Sequence, residues 1–152
     1  MRRVVVTGIG TINSTGHNVK DSFEAVVNGV CGIDTITLFD ASEFSVKIAG
    51  EVKDFDPTTV MDKKEVKKAD RFIQLGIKAA LEAMIDSGYV TQENKKVDAS
   101  IADRFGMISG SGIGGLSTIE RNSVVCETKG SRKVSPFFIP SSLANMLSGF
   151  IS

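Results

Sequence analysis

Residues 105–116, Phe-Gly-Met-Ile-Ser-Gly-Ser-Gly-Ile-Gly-Gly-Leu, constrain this chain more than any other stretch. A short apolar run breaks into glycines at 110, 112, 114 and 115, and a helical pattern follows at once. Glycine has no Cβ, so the backbone can take φ > 0 and another group can approach closely. A strand that empties into such a turn and then a helix is a place to build a binding site. Ile113 is the bulky side chain among these glycines. A branched apolar group there implies that something packs on it.

The rest of the chain alternates in the same way. Arg3 to Thr7 is rich in valine and stops at Gly8, which reads as a fully buried strand. A Gly/Ser/Thr/Asn loop over 8–18 leads into an amphipathic helix over 19–28, with Val19, Phe23, Val26 and Val27 on one face and Gly29 as its stop. Residues 33–61 carry no long period; a short strand over Ser45 to Val52 is the reading there. One long helix is predicted from an Asp62 N-cap, boxed by Glu65, to Ser87-Gly88, its stripe being Ala69, Ile73, Ile77, Ala80, Leu81 and Met84. Residues 91–104 form a polar connection, and a helix is expected from about Leu116 to Thr128. Pro140 suits the first position of a last helix continued by Leu143, Met146 and Leu147. This alternation argues for an α/β fold with a largely parallel sheet.

The spacing of Gly110, Gly112 and Gly115 matches a dinucleotide fingerprint. That fingerprint needs an acid ending a second strand roughly 20 residues on, to hold the ribose. The corresponding stretch here is Gly-Ser-Arg-Lys-Val-Ser, residues 130–135, with no acid. A non-catalytic α/β module with a Gly-rich pocket for a nucleotide remains the alternative to the reading developed below. The single histidine, His17, reads as a loop residue at the surface. Cys31 and Cys126 share no metal-binding or redox spacing, and each reads as a small buried hydrophobe.

Charge bears on partners. Eighteen basic and 18 acidic residues cancel, so the field of the whole chain favours neither nucleic acid nor membrane. A local patch must recruit any electrostatic partner. Lys63, Lys64, Lys67, Lys68 and Arg71 crowd the expected start of the long helix, where cations oppose the macrodipole. Arg132 and Lys133 form a second basic loop. No aromatic residues are interleaved as a nucleic-acid stacking platform requires. Lys63, Lys64, Lys67, Lys68, Arg132 and Lys133 are therefore expected to dock an acidic protein. No apolar run is long enough for a membrane span or a signal-peptide core.

Four segments together carry a family resemblance. Arg2-Arg-Val-Val-Val-Thr-Gly8, Phe72-Ile-Gln74, Gly110-Ser-Gly-Ile-Gly-Gly115 and Lys133-Val-Ser-Pro-Phe-Phe-Ile-Pro140 resemble, in order and spacing, bacterial β-ketoacyl-[acyl-carrier-protein] synthase II. The resemblance implies the N-terminal part of a thiolase-like αβαβα layered fold. It implies a cytoplasmic, homodimeric acyltransferase of fatty-acid synthesis that works by decarboxylative Claisen condensation without metal or nucleotide. It makes acyl-carrier protein the acidic partner of the basic patch. It places Ile113 in the acyl channel near the nucleophile, and Phe138 across a dimer interface toward the partner's channel. The family's nucleophilic cysteine and two histidines match no position here and are expected beyond Ser152. These 152 residues are thus expected to carry channel and docking surfaces, to be inactive alone, and to leave apolar faces uncovered.

Overall fold

The computed structural model describes residues 2–152. It is rich in helix. In chain order the elements are α1 (Val19–Val27), β1 (Asp34–Thr35), β2 (Ile48–Ala49), α2 (Lys63–Val66), α3 (Arg71–Asp86), α4 (Ala99–Ala102), α5 (Leu116–Lys129), α6 (Phe138–Ser142) and α7 (Met146–Ile151). Short 3₁₀ turns over Pro57–Thr59 and Ser131–Lys133 precede α2 and follow α5.

The core lies where α3 meets α7. Ile73 is fully buried, with Ala69 and Leu147 beside it and Phe72, Ile77, Met146 and Phe150 packed around them. Gly76 leaves the space that the Leu147 side chain fills, so the two helices approach closely. Burying an isoleucine contributes about 1.5–3 kcal/mol.

The predicted long helix is two. α2 ends at Val66 and α3 starts at Arg71, with Asp70 extended between them (φ −66°, ψ 164°). The Asp62 side chain makes no cap bond, and Glu65 pairs with Lys68 at 2.7 Å instead of closing a capping box. Tertiary bonds favour the break. The Gln74 amide donates to the Val66 and Ala69 carbonyls at 3.3 and 2.9 Å, and the Ser141 hydroxyl donates to the Lys68 carbonyl at 2.6 Å. The last predicted helix also divides, because Leu143 is extended (φ −75°, ψ 130°). Pro140 sits at the third position of α6 rather than the first, still within the turn that needs no N–H donor.

The expected parallel sheet is not formed among the described residues. The one two-stranded ladder is antiparallel, pairing Asp34 with Ala49 and Thr35 with Ile48. Residues 3–7 and 105–109 make no ladder bonds, and Val4 is 92% exposed. A strand exists only with a neighbour to bond, and neither segment has one. α1 matches its expected range, capped by the Asn18 side chain on the Asp21 N–H at 2.8 Å. Its apolar face is not covered, however: Phe23, Val26 and Val27 are exposed, while Ser22 is buried.

Three anchors hold the N-terminal loop to α3. Glu82 accepts from the N–H groups of Thr11 and Val19 at 3.0 and 2.8 Å, and Asp86 accepts from Ile9 at 3.0 Å. Gly10 lies directly on the α3 backbone, where a Cβ would fall 2.7 Å from the Ala83 nitrogen.

Candidate functional site

The glycine turn is wedged between two other segments. Gly114 has φ +84°, a left-handed conformation, and an added Cβ would meet the Ser142 carbonyl oxygen at 2.5 Å. At Gly115 a Cβ would meet the Ser141 oxygen and Ser142 Cα at 2.7 Å and the Asp70 carboxylate at 3.0 Å. The Gly115 N–H donates to the Ser142 carbonyl at 2.9 Å, and the Gly114 N–H to the Ser111 hydroxyl at 3.0 Å. Gly110 and Gly112 differ: nothing lies within 4 Å of where their Cβ atoms would be. The second half of the turn is packed and the first is open.

Ile113 stands on this turn and is 66% exposed. Phe138 opens α6 and is half-buried, and its carbonyl accepts from the Ser142 hydroxyl at 2.8 Å. Ser142 therefore joins the two elements, with its carbonyl against the turn and its hydroxyl on α6. Phe137, Ile139 and Leu143 near by are also exposed, which makes this end of the molecule apolar. Neither Ile113 nor Phe138 lines any of three clefts found elsewhere on the surface.

α5 begins with an unusual cap. Its N-cap residue is Gly115, which has no side chain to offer, and its first turn holds no acid. Asp70, 48 residues earlier, supplies the missing carboxylate and accepts from the Thr118 N–H at 2.9 Å in a buried bond. The helix N-terminus, where a phosphate would sit in a dinucleotide site, thus already faces a carboxylate. Asn122 extends this frame. Its amide donates to the Thr118 carbonyl at 2.8 Å, and its oxygen accepts from the Ser135 N–H at 2.9 Å.

The break at residues 67–70 changes the meaning of the basic cluster. Lys63 and Lys64 lie in α2, while Lys67 and Lys68 follow its C-terminus, where cations are favourable. The expected clash with a helix dipole is therefore confined to Lys63 and Lys64, the first two residues of the single turn of α2. Arg71 leaves the cluster: its guanidinium donates to the Val52 carbonyl at 2.9 Å and lies 5.2 Å from the Phe55 ring centroid. Lys63, Lys64 and Lys67 are exposed, as are Arg132 and Lys133 on their 3₁₀ turn. Lys68 Nζ lies 5.8 Å from the Phe137 ring centroid, which brings the segment after Lys133 to the α2–α3 junction.

Both cysteines are exposed, against the expectation of burial. Their apolar neighbours Val30 and Val124 are exposed with them. Cys31 and His17 line one polar cleft of about 320 Å³ with Asp34, Glu51 and Lys53. The thiol there turns to the Ile33 carbonyl at 3.7 Å, and the His17 ring stands edge-on to Phe55 at 6.1 Å. Lys53 bonds Asp34 at 2.7 Å and holds its carboxyl below the usual range. Bonds from the Thr37 hydroxyl and N–H do the same for Glu51.

Sequence reasoning missed Asp70, Asn122, Ser141 and Ser142. Asp70 carried a signal, an acid just before the renewed apolar run Phe72-Ile73, which is a second N-cap position. The two serines and the asparagine carried none, since their burial depends on which segments meet.

Comparisons with known proteins converge. The family model described as the N-terminal domain of β-ketoacyl synthase matches residues 1–152. The chain is 49% identical over 152 residues to the 3-oxoacyl-[acyl-carrier-protein] synthase 2 of Vibrio harveyi, covering 99% of this chain and 35% of that protein. The same enzyme of Coxiella burnetii is 45% identical over 151 residues, with the same coverage. The chain thus spans about a third of the length of these relatives. Among solved structures, a type II polyketide ketosynthase in complex with its acyl-carrier protein superposes with a TM-score of 0.77 at 26% identity, over 100% of this chain and 39% of that one. A β-ketoacyl synthase from Burkholderia phymatum gives 0.79 at 21% identity, over 100% and 36%. The backbone path is thus that of the layered ketosynthase fold, even where ladder bonds are not made.

Proposed function

The chain belongs to the β-ketoacyl synthase family, matching its N-terminal domain, and on that premise we propose that it forms the N-terminal portion of an elongating β-ketoacyl-[acyl-carrier-protein] synthase of fatty-acid synthesis. In this reading an acyl group passes from carrier protein to a cysteine thiolate. Malonyl-carrier protein then loses CO₂, and the resulting carbanion attacks the acyl thioester, forming a carbon–carbon bond and releasing the thiolate. In this reading the cysteine and the two histidines lie outside residues 1–152. Residues 1–152 contribute the channel and the docking surface. The enzyme works as a cytoplasmic homodimer, needs no metal or organic cofactor, and engages neither nucleic acid nor membrane.

The observation that carries this reading is the glycine turn. Gly114 and Gly115 are packed and fix the backbone, and Ile113 between Gly112 and Gly114 is exposed, as are Phe137, Ile139 and Leu143 around Phe138. An alkyl chain is the ligand such a surface suits, at about 0.8 kcal/mol for each CH₂ buried. The nucleotide alternative loses its support, because the Asp70 carboxylate sits where the phosphate would bind. In the catalytically complete enzyme, Ile113→Phe should reduce kcat/KM for twelve-carbon acceptors far more than for six-carbon ones. Equal losses on both would remove Ile113 from the channel.

Lys63, Lys64, Lys67, Lys68, Arg132 and Lys133 form the carrier-protein docking patch in this reading. Five of the six are exposed, and the α2–α3 junction and the 131–138 segment meet through Lys68 and Phe137. The complex of a related ketosynthase with its carrier protein supports this kind of partner.

A further inference from the structure

We propose that Asp70 is a specificity-determining positioning residue: its carboxylate fixes the glycine turn that carries Ile113 and so sets the shape of the acyl channel. This rests on the channel reading above and goes beyond it, since Asp70 itself touches no substrate there. The geometry is particular. Asp70 is 8% exposed, and its carboxylate bonds the Thr118 N–H at 2.9 Å. Nothing else supplies α5 with an N-terminal acid or a side-chain cap. The same carboxylate oxygen, the Ser141 carbonyl oxygen and the Ser142 Cα together crowd the point where a Gly115 Cβ would stand, at 3.0, 2.7 and 2.7 Å. The turn cannot move toward that face without collision. Ile113 stands two residues from Gly115, so any shift of that residue moves the isoleucine.

The segment bearing Asp70 is itself fixed. Ser141 bonds the Lys68 carbonyl at 2.6 Å, and Gln74 bonds the Ala69 carbonyl at 2.9 Å. Residues 68–70, 114–118 and 141–142 are thus one cross-braced unit, and Asp70 is its charged member. A carboxylate accepting a helix N-terminal N–H is favoured by the macrodipole as well as by the bond. Asparagine keeps an acceptor oxygen of the same length, whereas alanine leaves the N–H unpaired.

The test compares Asp70→Ala and Asp70→Asn in the catalytically complete enzyme. Hydrogen exchange over residues 110–120 reads the anchor, and the ratio of kcat/KM for twelve-carbon and six-carbon acceptors reads the channel. Asp70→Ala should speed exchange about tenfold and change the acceptor ratio about threefold or more. Asp70→Asn should restore both toward wild type. Unchanged exchange in Asp70→Ala would overturn the anchor. Faster exchange with an unchanged ratio, or the same loss with Asn as with Ala, would overturn the specificity role. If Asp70→Ala does not fold, Asp70→Ser removes the same bond by shortening the side chain by one atom while keeping a polar group, and the same outcomes apply. Ile113→Phe is run in parallel. If it too leaves the ratio unchanged, the channel reading fails; if it alone changes the ratio, only the Asp70 inference fails.

Discussion

At the scale of single residues, the glycines of one short run do different work. Gly114 needs its positive φ and has a carbonyl 2.5 Å from any added Cβ, whereas Gly112 has neither restriction. Gly114→Ala should therefore destabilise by about 1–3 kcal/mol, and Gly112→Ala by no more than about 0.5 kcal/mol. Urea midpoints in dilute solution check the pair, and equal costs would show that the turn is not wedged as described. The run itself, the family signature and Ile113 were all legible in the sequence. Which glycines were packed was not, because Ser141 and Ser142 lie 27 residues beyond Gly114–Gly115, and pairing at that distance leaves no local periodicity. Ile73 was legible as core from its helical spacing. Asp70 was read past, because the Asp62–Glu65 capping-box pattern put the helix start eight residues earlier and the stripe beginning at Ala69 runs across it.

At the scale of elements, the break between α2 and α3 revises the electrostatic argument and keeps the surface. Lys67 and Lys68 lie between α2 and α3, and Lys68 pairs with Glu65 at 2.7 Å, so local stability accounts for Lys68 as well as docking does. Function must separate the two. Lys67→Glu with Lys68→Glu in the complete enzyme should raise KM for carrier-protein substrate and flatten its salt dependence, since steering is screened over about 8–10 Å. An unchanged KM at low salt would remove the patch. The 34–51 hairpin gives a second check. Glu51 accepts from the Thr37 N–H and hydroxyl and from the Leu38 N–H, which lowers its pKa. A depressed carboxylate pKa stabilises the folded form fully above the unfolded value of about 4.3. That contribution is lost as pH falls through the lower, folded value. Amide exchange at Thr37 and Leu38, corrected for intrinsic rates, should be better protected at pH 6 than after acidification through and below the ordinary glutamate range. Loss of protection on raising the pH instead would reverse the assignment.

At the scale of the whole molecule, surface area decides the expected behaviour. The chain exposes 11160 Å², against about 7,500 Å² for a compact protein of its mass. The excess is apolar in places: Val4, Val6, Ile108 and the Phe23–Val26–Val27 face of α1. The stripe on α3, expected to be partly uncovered, is so: α7 covers Ile73 and its neighbours, and residues 77–84 stay half-exposed. These 152 residues expressed alone should therefore associate, seen as a concentration-dependent elution volume. They should also give no β-ketoacyl product and no acyl adduct with acyl-carrier thioester. A stoichiometric acyl mass on Cys31 or Cys126 would place the nucleophile in this chain after all.

The anchoring of the N-terminal loop has a consequence for synthesis. Thr11 is held by Glu82, which the ribosome adds 71 residues later. At about 5–20 residues per second, the loop waits roughly 4–14 s for its anchor. The valines at 4–6 stay exposed even after the anchor forms, so the wait bears on the backbone of residues 9–19, where the Ile9, Thr11 and Val19 N–H groups have no acceptor on α3 until then. Rare codons between Lys20 and Glu82 would lengthen the wait, and with it the yield should fall.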